Sequence, residues 1–129
     1  ADRGLPGFGE GVMPLVSDKN SPIKLLFVCS RNHWRSPTAE QVWRKPPRVQ
    51  ARSAGTSANA RHVVSVDDVA WADVIFAMEE KHKSRLMAEY RRLIGSKPVH
   101  VLDVPDEYRY MDPALVQQIE ASVAAVLGL

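Results

Sequence analysis

The chain has 129 residues, 45% of them hydrophobic and 25% charged, and a formal net charge of +2. This balance is typical of a single globular domain with its own core; it gives no basic footprint for nucleic acid and no apolar run long enough to span a membrane. The single cysteine excludes an intramolecular disulfide and a cysteine-based zinc site, and without a signal peptide it predicts a cytoplasmic protein.

The first segment differs from the rest in composition. Residues 1–21 contain four of the seven glycines, with Pro6 and Pro14 alongside. This segment is predicted to be a flexible N-terminal tail or an expression remnant, and residues 22–129 to be the single folded domain.

A strand, a loop and a helix follow, and the rest of the chain is organised around them. The apolar, β-branched run from Ile23 predicts a strand buried on both faces, and it ends at Cys29. Ser36 suits an N-cap and Pro37 the first position of a helix, with Glu40 expected to complement the helix dipole from the first turn.

The loop between this strand and helix is predicted to bind an anion. Backbone N–H groups at a helix N-terminus point into such a loop and favour negative charge. They also favour the thiolate form of Cys29, as does the nearby Arg35, whose guanidinium can hold two phosphate oxygens. The spacing Cys-x5-Arg is weak evidence alone, but the predicted strand before it and helix after it strengthen the interpretation.

The remaining segments alternate between strand and helix patterns. Short buried runs predict strands over 49–54, 73–78 and 99–102, and Gly55 is expected to form a turn. Amphipathic patterns predict helices over 37–44, 65–71 and 79–93 and a last one from 112 onward. This alternation predicts an α/β domain, a parallel sheet between two helical layers, with ligands at the carboxyl ends of its strands.

The stretch Val28-Cys29-Ser30-Arg31-Asn32-His33-Trp34-Arg35-Ser36-Pro37 resembles the signature of the low-molecular-weight protein tyrosine phosphatases, Val-Cys-x-Gly-Asn-x-Cys-Arg-Ser-Pro. Ser53-Ala54-Gly55-Thr56 and Pro105-Asp106-Glu107-Tyr108 resemble later family segments, in family order, and a short bacterial branch is the most similar. The resemblance implies a three-layer αβα sandwich with a four-stranded parallel sheet of order 2-1-3-4. It also implies a phosphate-binding loop that includes Ser30, Arg31, Asn32, His33, Trp34 and Ser36. The hydroxyl of Ser36 is expected to donate to the sulfur of Cys29, and Asn32 to brace the loop, because asparagine tolerates a left-handed conformation and bonds the backbone locally.

Two residues of the loop depart from the family pattern. Arg31 replaces a glycine and Trp34 replaces a second cysteine. If the glycine is needed for a positive φ, Arg31 is strained or the loop has another shape. These departures concern the loop shape and the range of substrates more than the chemistry.

The general acid is expected on a loop after the fourth strand. Three aspartates follow that strand, and Asp106 is preferred because it matches the Pro-Asp-x-Tyr segment of the family. Asp112 is the alternative, since it precedes a proline, although that position also suits a helix cap. Asp103, at the end of the strand, is the third candidate. The resemblance further implies Tyr108 as an aromatic wall for the substrate.

The sequence therefore predicts a cysteine-dependent phosphatase. Cys29 attacks phosphorus, Arg35 stabilises the transferred group and Asp106 is the acid, with a phosphorylated protein, most directly phosphotyrosine, or a small aryl phosphate as substrate. Phosphate and vanadate are expected inhibitors; no metal or organic cofactor, nucleic acid or membrane is expected. Two alternatives remain: a phosphate- or phosphopeptide-binding module without turnover, and an arsenate reductase that uses an external thiol because no second cysteine is present.

Overall fold

The computed structural model describes residues 21–129, so the predicted tail, apart from Ser21, lies outside the described residues. Strands and helices alternate along the chain, as the sequence pattern predicts. The elements are β1 (Ile23–Cys29), α1 (Arg35–Trp43), β2 (Val49–Gly55), α2 (Val66–Trp71), β3 (Val74–Ala77), α3 (Glu80–Ile94), β4 (Val99–Val101) and α4 (Pro113–Leu127).

The four strands form one parallel sheet with the order β2-β1-β3-β4, which confirms the predicted order 2-1-3-4. In the register, Leu25 of β1 lies beside Ala51 of β2 on one side and Val74 of β3 on the other. The chain leaves β1 toward β2 and later returns on the other side as β3, so the order reverses at β1. The loop after β1 therefore emerges at the switch point where ligands bind in open parallel sheets.

Two hydrophobic clusters, one on each face of the sheet, hold the helices in place. On β1, Leu25 and Phe27 face the cluster that α1 and α4 cover, whereas Leu26 and Val28 face the cluster that α2 and α3 cover. All four side chains are fully buried. A strand with both faces in a core has little freedom to shift its register, and this fixes the position of Cys29 at its end.

The start of α1 differs from the prediction. The helix begins at Arg35, Trp34 occupies the N-cap position without a side-chain cap bond, and Ser36 lies inside the first turn. The first turn also contains no acidic residue, so the expected role of Glu40 beside the helix dipole is wrong. Ser36 is unavailable for capping because its hydroxyl is in contact with Cys29.

The other boundaries shift by one or two residues, within the usual uncertainty of helix and strand ends. Gly55, expected in a turn, is the last residue of β2. A capping box of Ser65 and Asp68 begins α2, and Asp112 caps α4 by accepting a hydrogen bond from the N–H of Ala114. Over residues 21–129, no helix has the combined length and apolar character needed to cross a bilayer.

Candidate active site

Loop 29–35 turns sharply between β1 and α1, and Asn32 makes the turn possible. Asn32 has φ of 55°, in the left-handed region that asparagine tolerates better than most residues. Arg31 is not among the described residues with positive φ. The strain considered for Arg31 therefore does not arise, because the left-handed conformation falls on its neighbour.

The thiol of Cys29 lies at the floor of this loop and receives hydrogen bonds from it. Only 3% of the residue is exposed. The backbone N–H of Asn32 donates to Sγ at 3.3 Å, and the Ser36 hydroxyl oxygen lies 3.0 Å from Sγ. Both contacts stabilise a negative charge on sulfur when the hydroxyl donates, and an ionised sulfur is the nucleophilic form.

The side chain of Asn32 extends this network away from the sulfur. Its Nδ2 donates to the hydroxyl oxygens of Ser36 and Ser53, each at 2.9 Å. Ser53 in turn donates to a carboxylate oxygen of Glu40 at 2.5 Å. Because the hydroxyl oxygen of Ser36 already accepts a hydrogen bond from Asn32, the hydroxyl proton of Ser36 is available to Cys29 or to the carbonyl of Ala54 at 3.3 Å. The network thus orients Ser36 toward the sulfur.

The guanidinium of Arg35 is buried and held from one side. Its Nη1 donates to Glu79 Oε1 at 2.7 Å and to the carbonyl of Val104 at 2.8 Å. The Nε atom lies 3.8 Å from Asp106 Oδ1, beyond hydrogen-bond distance. These contacts leave the Nε and Nη2 edge, which presents two parallel N–H groups, to bind the oxygens of a phosphate.

Glu79 anchors this arginine as a carboxylate. The hydrogen bond from Arg35, and next to it the positive charge of that guanidinium, outweigh partial burial and lower the pKa of Glu79. An ionised Glu79 balances the buried charge of Arg35, which would otherwise be costly so far from water.

His82, in the first turn of α3, supports the loop from the other side. Its Nδ1 accepts the backbone N–H of Glu79 at 3.0 Å, and its Nε2 lies 2.8 Å from Ser30 Oγ. Burial, with the nearby charge of Arg35, lowers the pKa of His82 to about 4. The ring is therefore neutral near pH 7, and because Nδ1 is an acceptor, Nε2 carries the proton and donates to Ser30.

Asp106 projects from the segment between β4 and α4, which is fixed on both sides of it. The N–H of Val104 donates to the carbonyl of Met78, and the N–H of Met111 donates to the hydroxyl of Thr38 in α1. Between these anchors, Asp106 is 66% exposed and lines the same cavity as Cys29. Asp112 instead caps α4, and the exposed Asp103 lies outside the lining of that cavity.

The cavity above Cys29 has a volume of about 130 Å³, enough for a phosphate group but small for a larger ligand. Most of the residues predicted for the site meet here, whereas Asn32 and Ser36 lie beneath it. Tyr108, the predicted wall, packs against the core instead of lining the cavity. The lining consists of Cys29, Ser30, Arg31, His33, Trp34, Arg35 and Asp106.

Sequence reasoning missed several residues that hold the loop, and two of them carried a usable signal. Glu79 and His82 have capping-box spacing directly after the buried strand β3, which ends at the same sheet edge as β1. Ser53 lies in a segment that resembles the family, but nothing in the sequence linked it to Asn32. With Asn32 and Ser36, these three residues form what we call the inner shell.

Gly55 also supports the loop, through its lack of a side chain. A Cβ atom there would lie 2.5 Å from the carbonyl oxygen of Ser30 and 2.6 Å from the Cβ of Ala60. Backbone bonds from Thr56 to Cys29 and from Ser57 to Ser30 tie the segment after β2 to the loop. Within residues 21–129, no cluster of three His, Cys, Asp or Glu side chains is arranged to hold a metal ion.

No protein-family model and no curated protein matches the chain. Solved structures do match it. Wzb of Vibrio vulnificus, in complex with benzylphosphonate, is 25% identical with a TM-score of 0.64, over 83% of this chain and 99% of that one. The tyrosine phosphatase Wzb of Escherichia coli K30, in complex with phosphate, is 20% identical with a TM-score of 0.65, over 82% and 97%. The arginine phosphatase YwlE of Geobacillus stearothermophilus is 21% identical with a TM-score of 0.55, over 83% and 87%. These matches confirm the predicted fold and its resemblance to low-molecular-weight protein tyrosine phosphatases.

Proposed function

We propose that this chain, which has the fold of the low-molecular-weight protein tyrosine phosphatases, hydrolyses phosphomonoesters through a phosphocysteine on Cys29. One observation carries the proposal: Cys29 Sγ, with two hydrogen-bonding neighbours at 3.0 and 3.3 Å, lies in one small cavity with a buried arginine and a carboxylate. Nucleophile, charge stabiliser and acid are the three parts that phosphoryl transfer through cysteine requires.

In the first step, the thiolate of Cys29 attacks phosphorus in line with the leaving oxygen. The S–P bond forms as the P–O bond breaks, and negative charge spreads over the phosphoryl oxygens. The free edge of Arg35 and the N–H groups of loop 29–35 stabilise that charge. Because Glu79 and Val104 already fix the guanidinium, little reorganisation is needed during the reaction.

Asp106 serves both steps of the reaction. Its carboxyl proton goes to the leaving oxygen in the first step, so that a neutral alcohol or phenol departs. In the second step its carboxylate takes a proton from water, whose oxygen attacks phosphorus while the S–P bond breaks. Phosphate is released and Cys29 returns to the thiolate.

The substrate class that we propose is protein phosphotyrosine. The rings of His33 and Trp34 stack with their centroids 5.1 Å apart, and both line the cavity, so an aryl group meets aromatic surface there. Phosphoarginine is the second candidate, because two of the matching structures are of the arginine phosphatase YwlE.

Steady-state hydrolysis of a phosphotyrosine peptide and of a phosphoarginine peptide with the same flanking residues tests this proposal. We expect phosphotyrosine turnover with a phosphorylated Cys29 that acid quenching traps. Preference for phosphoarginine would overturn the substrate class alone. Tight peptide binding without turnover would identify a binding module, and arsenate reduction with an added thiol but no phosphate release would identify a reductase.

A further inference from the structure

Three arginines lie on or beside the residues that line the cavity, and they form no ion pair with acidic side chains of the described residues. Arg31, Arg61 and Arg109 are all exposed. Arg61 Nε donates to the carbonyl of Asn32 at 3.0 Å, and the guanidinium carbon of Arg109 lies 5.7 Å from the centroid of the Trp34 ring. These contacts hold two of the three charges beside loop 29–35. With His33 and Trp34, the three arginines form what we call the rim.

A groove continues from the cavity along this rim. His33 and Trp34 line both, so a chain whose phosphorylated residue enters the cavity crosses them into the groove. The groove has a volume of about 450 Å³ and is walled further by Arg61 and Tyr110. Its one acidic residue, Glu40, accepts a hydrogen bond from the hydroxyl of Ser53, and its other carboxylate oxygen lies 4.0 Å from Nη1 of Arg44, the residue after α1. The groove thus has room for side chains that flank the phosphorylated residue.

We propose that this groove binds an acidic segment of the substrate, with carboxylates beside the phosphorylated residue in contact with Arg61, which lines the groove, and with Arg109, which lies beside Trp34. The inference rests on the proposed function and specifies its substrate: a phosphorylated protein segment with acidic flanking residues. Positive charge around a cleft also raises the rate of encounter with such a segment.

The test compares two phosphotyrosine peptides, one with glutamates on both sides of the phosphotyrosine and one with glutamines there. We expect kcat/KM to be higher for the acidic peptide by about ten-fold at low salt, with the ratio approaching one at high salt as the exposed charges are screened. Equal values for the two peptides at low salt would overturn the proposal. Inhibition by a single-stranded oligonucleotide as strong as that by an acidic peptide of the same net charge would also overturn it, because the rim would then attract any polyanion.

Two variants test whether the preference for the acidic peptide depends on the rim. Arg109→Gln should lower the ratio of the two kcat/KM values by about two- to five-fold, the usual size for one exposed ion pair. Arg92→Gln, which removes an exposed arginine from the last turn of α3, is the matched control and should leave the ratio unchanged. An identical ratio in wild type and Arg109→Gln contradicts the proposal.

A binding measurement keeps this inference separate from the proposed function. If the wild type hydrolyses a small aryl phosphate but treats the two peptides alike, only the acidic-segment inference fails. If it hydrolyses none of them, the proposed function fails, and calorimetry of both peptides with the Cys29→Ser variant still decides whether the groove prefers the acidic one.

Discussion

The inner shell and the rim both include residues of loop 29–35, but they differ in burial and in hydrogen bonding. Asn32, Ser36 and His82 of the inner shell are almost fully buried, and their side chains form hydrogen bonds. On the rim, Arg31 and His33 are exposed. Burial makes every unmet hydrogen bond costly, whereas exposed charges contribute little to stability and remain free for a ligand. The comparison indicates that the inner shell fixes the geometry of the reaction and the rim selects what reacts.

The sharpest way to test this division is to remove the nucleophile that the inner shell holds. Cys29→Ser should lower kcat for an aryl phosphate by at least ~10⁴-fold, because a serine hydroxyl in this site is a far weaker nucleophile. Steady-state phosphate release measures the loss. Circular dichroism should be unchanged, and phosphate should still bind. Retention of more than a hundredth of the wild-type kcat would remove Cys29 from the mechanism.

The second largest effect distinguishes the two aspartates of the segment between β4 and α4. Asp106→Asn should lower kcat by ~10²–10⁴ for an aryl phosphate with a poor leaving group, and much less for one whose phenolate leaves without a proton. Asp112→Ala should keep kcat and cost about 1 kcal/mol in the free energy of unfolding, because Asp112 caps α4.

Kinetics with a series of substituted phenyl phosphates, together with urea unfolding, separate these outcomes. Asp106→Asn should steepen the dependence of rate on leaving-group pKa, and the Asp112→Ala variant is its control. The reverse pattern would make Asp112 the acid and Asp106 a bystander at the mouth of the cavity.

The strands could be predicted from the hydrophobic pattern and their order in the sheet from the family resemblance, whereas the inner shell depends on contacts between distant segments. The run ending at Cys29 reads as a buried strand without any knowledge of its neighbours. Ser53, on β2, reaches Asn32 only because β1 and β2 pair in register. Ser36 was expected both to cap α1 and to donate to the sulfur of Cys29. The structure places its hydroxyl 3.0 Å from that sulfur, whereas Trp34 occupies the N-cap position. The sequence therefore pointed to the residues that we propose to react, through the motif and the family resemblance, but not to Ser53, Glu79 and His82 of the inner shell.

The pH dependence of stability tests whether the fold holds His82 of the inner shell in its neutral form. The folded-state pKa of His82, about 4, lies below the usual 6.5, so only the unfolded chain takes up a proton between these values. Stability should therefore fall as pH decreases from about 6.5 to 4, by about 3 kcal/mol in total from this group. Urea unfolding at pH 7.5 and at pH 5 measures the part lost in that interval.

The control histidine comes from the rim. His82→Gln should remove this component of the pH dependence and lower kcat by disturbing Ser30, while His33→Gln should retain the wild-type loss of stability at acid pH. The same loss in His82→Gln as in the wild type would show that His82 is not held neutral by the fold.

The smallest expected effect concerns which aromatic residue contacts the substrate. Trp34 lines the cavity, whereas Tyr108, the wall implied by family resemblance, packs against the core. Trp34→Leu should therefore raise KM for an aryl phosphate about two- to ten-fold relative to an alkyl phosphate, the range expected for loss of one aromatic contact. Tyr108→Leu should lower the free energy of unfolding and change that KM ratio little. If Tyr108→Leu changed this KM ratio more than Trp34→Leu, Tyr108 would be the aromatic wall, as the family resemblance implies. The rim would then select substrates by charge alone.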